Sequence, residues 1–148
     1  MTITSIIDQL IRDEGERLSL YYDEVGVPTI GVGCNLTAGR IPDALAQQIT
    51  ITPSASRALL DVRVRDCLQD LSTLPWVAAL SECRRAVLVN VAFNVGFHGL
   101  LGFHAMLTAM QGEDWHLAAD ELLDSKAAQQ NPNRYARLAQ QLREDTWV

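Results

Sequence analysis

The chain has 148 residues, of which 48% are hydrophobic and 20% are charged, and its formal net charge is −6. This length fits one domain, or two small lobes sharing a helix, and the composition is typical of a globular protein rather than a disordered one. Nucleic acids and anionic membranes attract clustered lysine and arginine, so neither is expected as a partner of this acidic chain.

Cysteine usage and the N-terminus indicate where the protein is made. The chain has three cysteines, an odd number, and their positions 34, 67 and 83 do not match a metal-binding spacing, which favours a reducing compartment. Residues 1–8 turn polar too early for a signal peptide, and no later stretch approaches the roughly 18 apolar residues of a membrane span. We therefore expect a soluble protein made in the cytoplasm, with no stable membrane association.

The N-terminal third of the sequence predicts a helix followed by a β-hairpin. Ser5 can cap the helix, apolar residues follow at helical spacing, and Gly15 ends it. Residues 18–33 form two strand-like runs around a turn over residues 24–28, which predicts the hairpin. A further short turn is predicted over residues 37–40.

The rest of the chain predicts helices. A long helix begins at Pro53 and carries an apolar face formed by Leu59, Leu60, Val64, Leu68 and Leu71. A second helix from Ser81 is apolar nearly all round and should be buried, and Gly96, Gly99 and Gly102 are expected to break the chain after it. Shorter helices are predicted over 101–111 and 114–124, and a final helix runs from Pro132 toward Trp147.

The predicted fold class is α+β, mostly helical, in one domain with two lobes. Residues 13–52 form the lobe that contains the short sheet, and residues 1–12 and 53–148 form the helical lobe, with residues 53–73 as the connecting helix.

Glu14 is the first candidate for chemistry. At about 100° per residue it lies within about 20° of Ile7 on the first helix, so a carboxyl group ends an apolar stripe. Apolar surroundings favour the protonated form of a carboxyl group, which a general acid requires. The same placement also fits a glutamate that pairs with an arginine at a helix end, and the helical phase alone leaves both interpretations open.

Asp23 and Thr29 lie on the predicted hairpin and could face one groove across from Glu14. Glycoside hydrolysis uses a protonated carboxyl group that donates to the leaving oxygen and an ionised one that handles water or the sugar cation. An aspartate in a hairpin is, taken alone, more often a turn residue whose side chain caps local backbone groups.

At this point the sequence resembles a known family. The run DEGERLSLYYDEVGVPTIGVG, residues 13–33, is similar to the catalytic segment of phage-type lysozymes, in which Glu, Asp and Thr are separated by eight and then five residues. The spacing here matches without gaps. The resemblance extends over nearly the whole chain, through Arg84 to Asn90, Phe93 to Gly96, Gly99, Gly102-Phe103, Asn131 to Arg134 and Thr146-Trp147.

The resemblance implies a lysozyme-like fold and roles for individual residues. Glu14 would be the general acid, Asp23 would position the attacking water, and Thr29 would hold that water from the other side. Arg134 would pair with Glu14, and Asn94 could reach a sugar hydroxyl or acetamido group. Gly31 and Phe103 are further residues expected to support the site or the substrate.

The resemblance also implies an activity. Such enzymes are muramidases that cleave the β-1,4 bond between N-acetylmuramic acid and N-acetylglucosamine in peptidoglycan, with inversion and without a cofactor or metal. The implied protein is a monomeric endolysin, made in the host cytoplasm and acting on the cell wall after a separate protein permeabilises the membrane. Two features depart from this picture: Cys34 stands where family members often carry His, and the acidic charge opposes attraction to the polyanionic wall.

Other interpretations of these residues remain. An injected antibacterial muramidase would share the chemistry, and a catalytically impaired glycan-binding module would keep the groove without the acid. Chitinase, chitosanase and transglycosylase activities rank lower. The Gly31-Val32-Gly33 run lacks the third glycine of a phosphate-binding loop, and the three histidines are too irregularly spaced for a metal site. Trp76, Trp115 and Trp147 are more typical of core anchors than of sugar platforms.

Overall fold

The computed structural model describes residues 2–36 and 42–148, so the short turn predicted over 37–40 lies outside the described residues. By internal contacts the chain divides into two compact units. One comprises Ile7–Arg65, and the other comprises Asp66–Val148 together with the residues up to Ile6. The lobe limits expected from the sequence, 13–52 for the sheet-containing lobe, stay a prediction.

The first unit begins with the predicted helix and hairpin. Helix α1 spans Ile6–Glu14, directly after Ser5, and Gly15 follows it with a φ of +75°. Strands β1 (Arg17–Tyr22), β2 (Pro28–Gly31) and β3 (Cys34–Asn35) form one antiparallel sheet in that order. The hairpin prediction is confirmed. The third strand, β3, was not predicted, because two residues are too few to show a pattern.

The sheet gains a further connection from the segment after the short helix α2 (Asp43–Ala46). The amide of Leu20 donates to the Ile49 oxygen at 3.0 Å, and the amide of Ile51 donates to the Leu18 oxygen at 2.8 Å. These bonds hold the start of the next helix against β1.

Helix α3 spans Pro53–Leu71, as the proline at its first position predicts. Its buried apolar residues are Leu60, Val64 and Leu71, whereas Leu68 is 37% exposed. The prediction that Leu68 belongs to the apolar face was therefore wrong. At about 100° per residue Leu68 lies about 80° from Leu60 around the helix, which puts it at the margin of a narrow buried stripe.

The second unit is helical. A 3-10 helix (Pro75–Ala79) precedes α4 (Glu82–Leu101), α5 (His104–Gln111), α6 (Trp115–Leu123), α7 (Lys126–Gln130) and α8 (Pro132–Glu144). The 3-10 helix and α7 were not predicted, because five residues are too few to show a periodicity. The described chain thus has eight α-helices and a three-stranded sheet, and the predicted α+β, mostly helical class is confirmed.

Helix α4 is the buried helix that its composition predicts. Every residue from Ala86 to Ala92 is buried, and the side chain of Ser81 caps the helix by accepting a hydrogen bond from the Arg84 amide at 3.2 Å. Gly96 kinks the helix, with φ 80° and ψ 159°, and Gly102 ends it. Gly99 does not break the chain as predicted, because it lies within the second, helical part of α4.

The core of the second unit is formed by apolar side chains that α4 shares with the following helices. Residues of this core with at most 1% exposure include Val87, Leu88, Val91, Leu100, Met106, Met110, Leu122, Tyr135, Leu138 and Leu142. Within the described residues, no single helix is long and apolar enough to cross a membrane, and α4 and α5 meet that test only as a pair bent by 96°.

Candidate active site

Glu14 is the last residue of α1, and its side chain is half-buried. Its carboxylate oxygen Oε2 lies against Gly33, 3.8 Å from the point that a Cβ atom on that glycine would occupy. Gly33 has a φ of +59° and belongs to the short connection between β2 and β3. The end of α1 therefore brings the predicted acid to the β2–β3 connection.

Arg63 on α3 holds the same connection, and no sequence pattern indicated this role. Its Nη1 donates to the main-chain oxygens of Val32, at 2.8 Å, and of Gly33, at 2.7 Å. That nitrogen lies 3.7 Å from the position of a Cβ on Gly33. Arg63 and Glu14 thus approach Gly33 from two different helices, and a side chain at position 33 would have to fit between them.

Asp23 lies just beyond β1 and closes the hairpin turn. Its Oδ1 accepts hydrogen bonds from the amides of Val25, at 3.0 Å, and Val27, at 2.8 Å, while its own amide donates to the Val27 oxygen at 3.0 Å. Among the described residues, none donates to the second oxygen, Oδ2. Asp23 is therefore a turn residue, as its position suggests. The turn fixes its carboxylate group through Oδ1, and Oδ2 accepts no hydrogen bond from the described residues.

Thr29 lies in the middle of the sheet, paired with Tyr21 on β1 and Asn35 on β3. It is 2% exposed, and its hydroxyl oxygen is 2.9 Å from the Val27 oxygen and 3.1 Å from Oδ1 of Asn35. A hydroxyl group has one proton and two lone pairs, so Thr29 donates to one of these oxygens and keeps acceptor capacity.

Gly31 ends β2 in a buried position with a φ of +66°. A Cβ atom there would lie 3.2 Å from the hydroxyl oxygen of Ser56, whose hydroxyl group donates to Oε1 of Glu16 at 2.6 Å. Gly31 thus allows α3 to pack closely against the sheet. Cys34 starts β3, opposite Ile30, and is one of the free cysteines.

The other expected site residues belong to the second unit. Arg134 on α8 is buried and donates from Nε to Oδ1 of Asn90 at 2.8 Å and from Nη2 to the Asn90 oxygen at 3.1 Å. One turn further along α4, Oδ1 of Asn94 accepts a hydrogen bond of 2.9 Å from the hydroxyl group of Tyr135. The amide nitrogen of Asn94 stays available as a donor, whereas Tyr135 is a partner that the sequence did not indicate.

Phe103, the residue before α5, lines an open cavity of about 530 Å³ within the second unit. Glu121, Lys126 and Gln130 contribute polar groups to this cavity, and Val95 and Met106 contribute apolar surface. Lys126 is the only lysine of the chain. Sequence patterns did not reveal this cavity, because its lining comes from separate helices.

A small antiparallel sheet and a set of eight helices, with a carboxylate at the end of α1, define a lysozyme-like α+β protein. Comparison with known proteins agrees: residues 12–142 match the phage lysozyme family. The chain belongs to that family, and it is a lysozyme by class.

The relatives of this chain differ in how much of their own length it matches. The chain is 34% identical to the endolysin of Salmonella phage P22, over 86% of this chain and 84% of the relative. It is 29% identical to the probable T4-type lysozyme 1 of Dictyostelium discoideum, over 92% of each protein. It is also 31% identical to the pre-baseplate central spike protein Gp5 of Enterobacteria phage T4, over 90% of this chain but only 27% of that protein, so it spans about a quarter of the spike protein.

Proposed function

We propose that this protein is an endolysin-type muramidase, which hydrolyses the β-1,4 bond between N-acetylmuramic acid and N-acetylglucosamine in peptidoglycan. The observation that carries the proposal is the placement of Glu14 and Asp23 at opposite ends of one hairpin, in a member of the phage lysozyme family. Carboxylates alone suffice for this reaction, so the proposal includes no cofactor or metal.

An inverting mechanism is part of the proposal, and the placement of the two carboxylates is what supports it. Asp23 pairs with Val27 just before β2, and Glu14 lies against Gly33 just after it. The two carboxylates are therefore held at opposite ends of β2. Inverting glycosidases need a gap of about 6.5–9.5 Å between their carboxyl groups to admit water, whereas retaining enzymes need about 5 Å.

Each residue then has a defined task. Glu14 donates its proton to the leaving glycosidic oxygen. Asp23, held by its turn through Oδ1, orients the attacking water and takes its proton through Oδ2, while Thr29 accepts a hydrogen bond from that water. Arg63 is a positioning residue that fixes the connection beside Glu14.

The second unit supplies candidate substrate contacts. Asn94 offers its amide nitrogen to an acetamido or hydroxyl oxygen, and Phe103 offers apolar surface at the cavity it lines. Arg134 donates to Asn90 within its own unit, and its expected pairing with Glu14 stays a prediction. Gly31 supports the site through the close packing of α3 on the sheet.

The proposed setting follows the P22 relative, which is named as an endolysin. The protein acts as a monomer, is made in the host cytoplasm, and reaches the wall once another protein has permeabilised the membrane. An injected effector would use the same residues, so the proposed chemistry is independent of the delivery route.

The decisive experiment measures new reducing ends released from purified peptidoglycan, with mass analysis of the fragments. We expect Glu14→Gln to abolish the release while Glu16→Gln keeps it, because a glutamine at position 16 still accepts the Ser56 hydrogen bond through its amide oxygen. The expected product has a hydrolysed muramic acid end, and NMR should show that its anomeric configuration is inverted. Wild-type activity of Glu14→Gln would remove Glu14 from the mechanism, and a 1,6-anhydro product would identify a transglycosylase instead.

A further inference from the structure

A second cavity in the helical unit contains two of the three tryptophans of the chain. Its volume is about 330 Å³, and it lies between the 3-10 helix, the start of α4, the connection from α5 to α6, and the end of α8. Trp76 and Trp115 line it together with Arg84, Gln111, Glu113 and Asp145. We refer to these six residues as the tryptophan cavity. None of them has a role in the proposed hydrolysis.

The two tryptophans, which the sequence favoured as core anchors, are not completely buried. Both are half-buried rather than buried, and both contribute surface to the cavity. Pro75 starts the 3-10 helix and so places Trp76 in its first turn, while Asp114 caps α6 directly before Trp115. Two short-range signals therefore bring two indole rings to one opening.

Polar groups around the rings are fixed in place by the protein itself. The guanidinium group of Arg84 stacks over the Trp115 ring at 3.9 Å, donates from Nε to the Leu142 oxygen at 3.0 Å, and donates from Nη1 to Oδ2 of Asp145 at 3.3 Å. Asp145 is fixed in turn by the Ser81 hydroxyl group.

Hydrogen-bonding capacity remains at the opening. Arg84 Nη2 has no protein acceptor within the part of the chain that the structure describes. In the same residues, the side chains of Gln111 and Glu113 make no hydrogen bond to protein. A guanidinium nitrogen, an amide and a carboxylate are therefore available to a ligand in the tryptophan cavity.

Two helix ends shape the backbone around the cavity. Within residues 2–36 and 42–148, the non-glycine residues with positive φ are Glu113, at 59°, and Asp145, at 54°. Both line the tryptophan cavity. Both conformations follow from helix ends: Asp145 is the left-handed C-cap of α8, and the amides of Glu113 and Asp114 close α5 on the oxygens of Met110 and Ala109.

Charge and shape select the class of ligand. The cavity has two carboxylates and one guanidinium group, so an anion is repelled by its net negative charge. A cation would meet Arg84 already stacked on Trp115. The remaining class is a neutral ring with an apolar face for the indoles and hydroxyl or acetamido groups for the polar rim, and about 330 Å³ is at the small end of ligand pockets.

We propose that the tryptophan cavity is a second, non-catalytic glycan site, which binds one N-acetylated pyranose ring of an oligosaccharide. The choice of an N-acetylated sugar rests on the proposed function, since peptidoglycan is built from such units. The site would hold the enzyme on an insoluble wall and so offset the repulsion between an acidic protein and a polyanionic surface.

The direct test uses the N-acetylglucosamine trimer as the probe and the indole N–H signals of the Glu14→Gln protein as the readout. The three tryptophans give three such signals, which Trp→Phe variants assign. We expect the Trp76 and Trp115 signals to move saturably on titration while the Trp147 signal, from outside the cavity lining, stays in place. No movement of the Trp76 and Trp115 signals at millimolar trimer overturns the proposal, and so does movement with choline but not with the trimer.

A second measurement uses binding of the Glu14→Gln protein to insoluble peptidoglycan. Adding Trp76→Ala should weaken the affinity about tenfold, as expected for loss of an aromatic anchor, and Trp76→Phe should restore most of it. Leu117→Ala is the matched control, because Leu117 is 44% exposed on α6 and does not line the cavity. Equal affinity of the Trp76→Ala and Leu117→Ala proteins contradicts the proposal, provided that circular dichroism shows both folded.

These outcomes separate the glycan site from the proposed catalysis. If the wild-type protein releases reducing ends but the trimer moves neither indole signal, the tryptophan cavity is not a glycan site and the muramidase proposal stands. If the trimer moves both signals but no reducing ends appear, the glycan site stands and the proposed hydrolysis fails.

Discussion

The guanidinium group of Arg63 donates a hydrogen bond of 2.7 Å to the main-chain oxygen of Gly33, the residue against which Oε2 of Glu14 lies. A residue on α3 thus fixes the connection that faces the proposed acid. Because small displacements of a catalytic group cost large factors in rate, we expect Arg63 to act as a positioning residue through this hydrogen bond.

Replacement of Arg63 should lower turnover without greatly changing substrate binding. We expect Arg63→Met, which keeps the length and loses the donors, to reduce kcat about 10- to 100-fold with KM nearly unchanged. Arg63→Lys should recover part of the loss, since an ammonium group can reach the same carbonyl oxygens. Arg65→Met is the control, because Arg65 is exposed on the same helix. Steady-state kinetics on peptidoglycan give kcat and KM for each variant. A normal kcat for Arg63→Met would rule out positioning by Arg63.

Two substitutions of Asp23 separate its turn role from its proposed catalytic role. Asparagine keeps an Oδ1 acceptor for the amides of Val25 and Val27 but loses the carboxylate charge, whereas alanine loses both. Asp23→Asn should therefore lower kcat at least about 100-fold with little change in Tm. Asp23→Ala should lose the same activity and also about 1 kcal/mol of stability. An active Asp23→Asn enzyme would leave Asp23 with its turn role alone.

Gly31 and Gly26 form a matched pair for the packing of α3 against the sheet. Both have positive φ, at +66° and +82°, but a Cβ on Gly31 would meet the Ser56 hydroxyl oxygen at 3.2 Å, and one on Gly26 would meet nothing within 4 Å. Each alanine substitution should cost about 1 kcal/mol from backbone strain, and Gly31→Ala should cost about 1 kcal/mol more. Urea unfolding measures the loss of stability of both variants. Equal losses would show that the Ser56 side chain moves aside without a cost in free energy.

The contact between Arg134 and Asn90 predicts a large loss of stability. Both residues are buried, and Asn90 accepts from two guanidinium nitrogens through its side-chain and main-chain oxygens. Asn90→Ala removes the side-chain acceptor from a buried cation, so the free energy of unfolding should fall by about 3 kcal/mol. Asn94→Ala, which loses only the bond from Tyr135, should cost about 1 kcal/mol. A larger loss of unfolding free energy for Asn94→Ala than for Asn90→Ala, measured by urea unfolding, would contradict this prediction.

Cys83 predicts a dependence of stability on alkaline pH. Burial raises the pKa of the Cys83 thiol above its usual value of 9.0, and the charges of Asp145 and Glu82 act in the same direction, while Arg84 opposes them. The unfolded chain then loses the thiol proton first, so this contribution to stability is complete below about pH 9 and is lost as the pH rises through the folded pKa. Cys83→Ser should make the fall in unfolding free energy above pH 9 shallower. Identical slopes for the two proteins, from urea unfolding at several pH values, would exclude the effect.

The elements that the sequence predicts well are those with long periodic patterns or strong end signals. Pro53 and Pro132 start α3 and α8 at the predicted residues, and the apolar run from Ala86 forms the buried part of α4. Elements of two to five residues, such as β3 and α7, were missed because they are too short to show a period. The exposure of Leu68 follows from a helix that buries only a narrow stripe.

For the proposed site, the sequence alone made Glu14, Asp23 and Thr29 the candidates, because they match the family's spacing in one continuous segment. It also determined the family, because the match runs along most of the chain. Three contacts were decided only by the tertiary structure. Arg63 donates a hydrogen bond to the β2–β3 connection, and Arg134 donates one to Asn90. Trp76 and Trp115 line one cavity. These pairs are 30 to 44 residues apart along the chain. Contacts over such separations depend on how helices pack, and no local pattern of residues encodes them.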